Sequence, residues 1–339
     1  MAALLRVEHL TVALPTRRGY QKAVDDMSFT VEAGEVLGIA GESGSGKTMT
    51  ALSLFGLLPS GAKVSGSIRL NEMELLGLGN RQLRTIRGRQ IAMVSQDPTA
   101  ALHPILTVGT LLTEHMRYHL GVSKEEAVER AKDLLDTVRI PDPARALHSY
   151  PGQFSGGMRQ RIAIAVALAA EPRLLVADEP TTALDVTVQA GILRLLDRLC
   201  RERDMAVIVI THDLGVMSAI AQRVCVMYAG RLAEAGPTSE LLARPRHPYT
   251  RGLLDALPRL PVSGGAGGRP PEASRARTGA PLVPIGGSPP SLGDVPAGCP
   301  FHPRCTYAVA SCETDQPVPL LLDGQHLLAC PPDPLAGAG

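Results

Sequence analysis

Several runs of residues can do chemistry by type and spacing alone. Gly41-Glu42-Ser43-Gly44-Ser45-Gly46-Lys47-Thr48 fits G-x-x-x-x-G-K-[ST]. Glycines at these positions let backbone N–H groups close around phosphate oxygens, and a following helix N-terminus adds a dipole of the right sign. Lys47 would reach the outer phosphates of a nucleotide, and Thr48 would ligate Mg²⁺. Leu174-Leu175-Val176-Ala177-Asp178-Glu179 is an apolar run that ends in two carboxylates. Asp178 suits a Mg²⁺ ligand held through water. Glu179 suits a general base that polarises an attacking water. Gln96 and His212 each follow another apolar run. Gln96 can touch Mg²⁺ and the attacking water, and His212 can hydrogen-bond the terminal phosphate. Ser155-Gly156-Gly157 opens an Ala-rich segment and reads as a second N-terminal anion site. Taken singly, each has a plainer reading: a Gly-rich turn, carboxylates that cap a helix, a surface glutamine or histidine, a capped helix start. The phosphate loop escapes its plain reading because an apolar run precedes it and a helical pattern follows it from Met49.

The elements that must position these groups are legible too. Glu35 to Ala40 reads as a buried strand feeding the loop. Gln90 to Val94, Arg173 to Ala177 and Met205 to Ile210 are similar runs. Each is followed at once by polar residues: Ser95-Gln96-Asp97, Asp178-Glu179 and Thr211-His212-Asp213. Open α/β sheets place their ligands at the carboxyl ends of such strands. Leu5 to Leu14 alternates weakly, as a strand does. Ser123 to Val138 reads as a helix, with Ser123 and Glu126 as a capping box and Ala127, Ala131, Leu134, Leu135 and Val138 on one face. Val224, Val226 and Tyr228 alternate ahead of Ala229-Gly230, which predicts a hairpin. The fold class is α/β.

Composition excludes other classes. The 339 residues carry 34 Lys and Arg against 33 Asp and Glu, a net charge of +1. That argues against a nucleic-acid partner, which calls for a basic excess. Aromatics are 3% and Trp is absent, so base-stacking platforms are not expected. No apolar run approaches the ~20 residues a bilayer needs, and the N-terminus lacks the pattern of a secretory signal. A cytoplasmic location follows, with six cysteines expected as thiols or metal ligands rather than disulfides. Gly and Pro crowd residues 261–296, which reads as a linker. It would separate a body, 1–260, from a Cys-rich tail, 297–339. Cys299, Cys305, Cys312 and Cys330 are spaced C-x5-C-x6-C-x17-C. A segment this short needs a staple. Four thiolates suit Zn²⁺ or an iron–sulfur cluster, with free thiols or a disulfide as the remaining options. The tail is remote in sequence from the phosphate motifs, so its role reads as structural or regulatory.

The whole set decides more than its parts. The phosphate loop, Gln96, Ser155-Gly156-Gly157, Asp178-Glu179, Thr182-Ala183-Leu184-Asp185 and His212 occur in an order and spacing that resembles the ATP-binding-cassette (ABC) ATPases, over about residues 4–260. The resemblance implies a RecA-like core with a helical subdomain, and ATP with Mg²⁺ held by Thr48, Gln96 and Asp178. It implies a nucleotide sandwiched between two cassettes, so that Ser155, Gly156 and Gly157 would meet a γ-phosphate held by a partner. Asp185 would sit at that interface. Phe154 and Met158 replace the more general Leu and Gln of the signature. The phosphate-contacting Ser and Gly residues, Glu179 and His212 are intact, which implies a hydrolytically competent site. An adenine-stacking aromatic is expected some 20-odd residues before the loop. Tyr20 is the nearby candidate, about two residues out of register beside Arg18, and an exposed loop tyrosine is its plain alternative.

Arg246-His247-Pro248-Tyr249-Thr250-Arg251 and Gly298-Cys299-Pro300-Phe301-His302-Pro303-Arg304-Cys305 resemble elements of the dipeptide and oligopeptide permease ATPases. That resemblance implies a heterodimer with a homologous second ATPase, two transmembrane permease subunits reached by helices near Gln96, and an extracytoplasmic substrate-binding protein. It implies a peripheral position on the cytoplasmic face of the cell membrane. It also tips the four tail cysteines toward a [4Fe–4S] cluster, with Zn²⁺ as the alternative. Importers of nickel chelates or other small solutes share these motifs. A soluble, non-transport cassette ATPase is the other class, disfavoured by the single cassette, the lack of a sustained heptad pattern and the near-neutral charge.

Overall fold

The computed structural model describes residues 3–182, 184–257, 284–322 and 324–336. Residues 261–283 of the expected linker, and Ala183, lie outside that set. Twelve strands follow in chain order among the described residues: β1 Leu5–Thr16, β2 Gly19–Val31, β3 Val36–Ala40, β4 Lys63–Leu70, β5 Met73–Glu74, β6 Ile91–Val94, β7 Leu174–Asp178, β8 Ala206–Thr211, β9 Arg223–Tyr228, β10 Arg231–Pro237, β11 Leu320–Leu322 and β12 His326–Leu328. They form two sheets, one ordered β2-β1-β4-β5 and one ordered β11-β12-β10-β9-β3-β8-β7-β6.

Five strands of the larger sheet run parallel, from β6 at its edge through β7, β8 and β3 to β9. Every residue of β3, β7 and β8 is buried. Burial on both faces explains why these strands read as continuous apolar runs rather than alternating ones. The faces divide by parity. Val36, Ala40, Leu175, Ala177, Val207 and Val209 enter a core shared with Leu112, Leu135, Ile164 and Leu196 of the helices. Leu37, Ile39, Leu174, Val176, Ile208 and Ile210 enter a second core shared with Leu5, Leu10 and Ile68 of the smaller sheet. Each Val, Leu or Ile side chain among them contributes roughly 1.5–3 kcal/mol on leaving water. The result is a rigid floor whose carboxyl edge carries the polar residues.

The predicted helix spans Lys124–Thr137, with the Ser123 hydroxyl accepting from Glu126 N–H at 3.1 Å. The reciprocal half of the capping box is diverted. Arg130, one turn on, takes the Glu126 carboxylate with Nε at 3.0 Å and Nη2 at 2.7 Å. The predicted hairpin at Ala229-Gly230 joins β9 to β10.

The tail differs from its expectation. β11 and β12 form a hairpin, and β12 pairs antiparallel with β10 through Glu234↔Leu328 and Ala235↔Leu327. The tail therefore extends the larger sheet. A segment too short for its own core borrows one: Phe301, Leu328, Ala329 and Leu335 are buried. The Phe301 ring packs 5.2 Å from Tyr228 and 5.3 Å from Tyr249, centroid to centroid. Glu234, fully buried, accepts from Arg246 N–H at 2.8 Å and His247 N–H at 3.1 Å, and pairs with His326 Nε2 at 2.8 Å. One buried carboxylate thus joins the His-Pro-Tyr element to the tail.

Candidate nucleotide site

The phosphate loop leaves β3 at Gly41 and ends at Gly46, which caps the helix Lys47–Leu54. Gly46 has φ +101° and Gly41 φ +150°. A Cβ at Gly46 would lie 2.6 Å from the Ala23 carbonyl oxygen, and one at Gly41 would lie 2.2 Å from that of Met227. Glycine is required at both positions by backbone conformation and by space. Lys47 is buried at 5% exposure. Its ammonium donates to the carbonyls of Gly41 and Glu42, each at 2.8 Å, and to Ser45 Oγ at 3.3 Å. Burial lowers its pKa, and the carboxylates of Glu179, Asp178 and Glu42 pull the other way.

Asp178 ends β7 at 4% exposure. Burial raises its pKa, the Thr48 hydroxyl lowers it, the Glu179 charge raises it and Lys47 lowers it. Its Oδ1 is buried with no hydrogen-bond partner. An orphaned carboxylate oxygen beside Thr48 is costly unless a cation meets it. These residues therefore fit Mg²⁺.

Glu179 follows with φ +47°, a conformation that costs a non-Gly residue on the order of 1 kcal/mol. Its backbone N–H is held by the Ile210 carbonyl at 2.8 Å. Its Oε2 accepts from Gln96 Nε2 at 2.8 Å and Thr182 Oγ1 at 2.9 Å, and its Oε1 meets His212 Nδ1 at 3.2 Å. Burial alone would raise this carboxyl. Hydrogen bonds from Thr182 and His212, with the charges of His212 and Lys47, outweigh it and hold the pKa below the ordinary value. The structure thus brings together Gln96, Glu179 and His212 from the ends of three neighbouring strands. The phosphate loop, Gln96 and Glu179 line one cleft of about 340 Å³ with Lys22, Ala23 and residues 290–295.

The residues predicted to face a partner cassette, Ser155, Gly156, Gly157 and Asp185, are not among those lining this cleft. Ser155 caps the helix Gly156–Leu168, its hydroxyl accepting from Met158 N–H at 3.3 Å. Gly156 and Gly157 are that helix's first two residues, and a Cβ at Gly157 would lie 2.7 Å from Val188. Asp185 caps the helix Val186–Arg203. Tyr20 does not line the cleft either. It lies half-exposed on β2 with the Lys63 ammonium 3.9 Å above its ring. Residues two and three positions on, Lys22 and Ala23, form the wall there instead.

The largest omission from the sequence reading is the tail's reach. Arg304, only 6% exposed at its side chain, grips Glu42 of the phosphate loop with Nη1 at 2.7 Å and Nη2 at 3.0 Å. Nη1 also donates to Tyr228 Oη at 3.2 Å. Tyr249 Oη accepts from Glu42 N–H at 2.8 Å. Remoteness in sequence therefore did not mean remoteness in space, and the tail bears directly on the loop. Replacing Arg304 by Ala leaves the Glu42 carboxylate unpaired and is expected to cost about 2–4 kcal/mol of stability. Urea unfolding reads this, and a Glu42→Gln/Arg304→Met pair should recover most of it. Unchanged stability in Arg304→Ala would mean that the pair behaves as an ordinary surface contact.

The four tail cysteines are free thiols. Burial raises the pKa of Cys299, Cys305 and Cys330, the last to about 12, and each of the three feels the charge of neighbouring tail cysteines, Cys312 included. The Cys299 N–H donates to the Cys312 carbonyl at 2.8 Å. Among the described residues, no group of three or more His, Cys, Asp or Glu side chains is arranged to hold a metal ion.

Comparison with known proteins decides the family. Residues 24–182 match the ABC transporter family, and residues 233–282 and 270–312 match the oligopeptide/dipeptide transporter C-terminal region. The oligopeptide transport ATP-binding protein OppD of Salmonella typhimurium is 47% identical over 96% of this chain and 93% of its own length. The chain belongs to the ATP-binding proteins of the oligopeptide and dipeptide ABC transporters. The dipeptide transport ATP-binding protein DppD of Bacillus subtilis is 45% identical over 97% of this ABC protein and 95% of its own length. The dimeric, post-hydrolysis ATP-binding cassette MJ0796 bound to ADP and Pi superposes with a TM-score of 0.62 at 28% identity, covering 69% of this cassette protein and 98% of that chain.

Proposed function

We propose that this chain is the ATP-hydrolysing motor subunit of an ABC importer of dipeptides and oligopeptides. The observation that carries the reading is the single cleft in which the phosphate loop meets Glu179, with Asp178 beside it. Lys47 and the loop amides would bind the phosphates. Thr48, Asp178 and Gln96 would hold Mg²⁺, which supplies charge neutralisation at the phosphates when bound. Glu179, kept ionised by Thr182 and His212, would orient and deprotonate the attacking water, and His212 would donate toward the terminal phosphate. The exposed Ser155 start of its helix supports the reading that Ser155, Gly156 and Gly157 serve a facing cassette, with Asp185 at the interface. The names of the relatives support peptides as cargo.

Partners follow from the same reading. A homologous second ATPase would complete the sandwich, two transmembrane subunits would receive its motion, and an extracytoplasmic binding protein would deliver cargo. Among the described residues no helix is long and apolar enough to cross a membrane, which accords with a peripheral seat on the cytoplasmic face. Residues 1–260 form the ATPase unit in this reading, 261–296 the linker and 297–339 the Cys-rich extension. Purified alone, the chain is expected to hydrolyse ATP slowly. Adding the second cassette and the membrane subunits should raise turnover strongly, and the four proteins should co-purify through detergent. Transport-level turnover by the isolated chain would overturn this.

The four tail cysteines carry the remaining part, a [4Fe–4S] cluster with Zn²⁺ as the alternative. Four thiols in one short segment support it; among the described residues their side chains do not form a ligand set. No step of hydrolysis depends on it. Anaerobically purified protein is expected to be brown, with iron and acid-labile sulfide in equal amounts, and Cys305→Ser should bleach it. One zinc per colourless chain would replace the cluster, and metal-free protein would remove both.

A further inference from the structure

The cleft has a wall that no nucleotide motif supplies. Pro290, Ser291, Leu292 and Val295, from the segment just ahead of the Cys-rich extension, line it together with the phosphate loop. They are built into place. Ser291 and Asp294 close a turn, with Asp294 N–H donating to the Ser291 carbonyl at 3.0 Å and Ser291 Oγ donating to the Asp294 carboxylate at 2.7 Å. Gly293 at φ +95° permits that turn and sits against Gln21. Arg18 of the hairpin joining β1 and β2 then clamps Asp294 at 2.7 Å. The turn is thereby fastened to the same hairpin that contributes Lys22 and Ala23 to the cleft.

Leu292 and Val295 remain 44% and 38% exposed. Apolar side chains held open on the cleft wall suit a ligand with an apolar face. A nucleoside triphosphate has one such part, its base. Among the described residues the cleft lining contains no aromatic ring, and one face of the half-exposed Tyr20 ring is taken by Lys63. We propose that the turn 290–295 is the surface on which the nucleobase of ATP packs, with Leu292 and Val295 as its contacts. The base is then read by this turn rather than by an aromatic of the N-terminal hairpin. This rests on the nucleotide-site reading above.

The test uses the full chain and two probes, MgATP and magnesium tripolyphosphate, which shares the phosphates and lacks the base. Equilibrium titration of Leu292→Ser/Val295→Ser is expected to show ATP bound about fivefold or more weakly, as loss of some tens of Å² of apolar contact dictates. Tripolyphosphate affinity should be unchanged, and Leu292→Met should restore ATP binding. Arg18→Gln, which frees the turn without touching the cleft wall, should weaken ATP in the same selective way. Equal weakening of both probes would mean a structural role and overturn the proposal. Unchanged or tighter ATP binding would also overturn it, the latter by showing the turn to be an obstruction. A wild-type chain that binds tripolyphosphate as tightly as ATP defeats the base surface alone. One that binds neither defeats the nucleotide site and the base surface together.

Discussion

Glu179→Gln is expected to bind ATP like the wild type and to hydrolyse it ~10²–10⁴ times more slowly, the usual cost of losing a positioned base. Glutamine keeps the shape and can still accept from Thr182 or Gln96, but it cannot take a proton. The geometry supports a base rather than a plain capping carboxylate. Its backbone is held at φ +47°, its two oxygens are met by Gln96, Thr182 and His212, and Thr182, His212 and the Lys47 charge keep it ionised against its burial. Single-turnover hydrolysis in the assembled transporter separates this from a binding defect. A rate near wild type would remove Glu179 from its assigned role.

Lys47→Ala should act on binding instead. The ammonium is the buried cation of the loop, and its loss removes charge-assisted hydrogen bonds of about 1.5–3 kcal/mol, or roughly 10–150-fold in nucleotide affinity. It also releases the Gly41 and Glu42 carbonyls that Lys47 now ties together, so the loop should loosen. Nucleotide titration of the full chain reads the affinity, and amide exchange across residues 41–48 reads the loosening. Equal affinity for MgATP in Lys47→Ala and wild type would place the phosphates elsewhere.

The sequence by itself determined the chemistry of the cleft and the strands that carry it. A phosphate loop demands Gly where the backbone approaches another carbonyl, as Gly46 approaches Ala23, and a Lys at the helix start. Those demands are local, so spacing reveals them. The strands β3, β7 and β8 are buried on both faces, so their composition alone marks them, and the polar residues at their ends follow. What only the tertiary structure decided are contacts between residues far apart in the chain. The clamp of Arg304 on Glu42 spans 262 positions, and nothing in the types of those residues pairs one arginine with one glutamate among many. The pairing of β12 with β10 is of the same kind, because an edge strand accepts any extended segment of suitable length and side chains. The half-formed cap at Ser123 shows the limit at short range as well. Glu126 suits a capping box by position, yet Arg130 one turn later offers it a full charge, and the stronger local partner takes it.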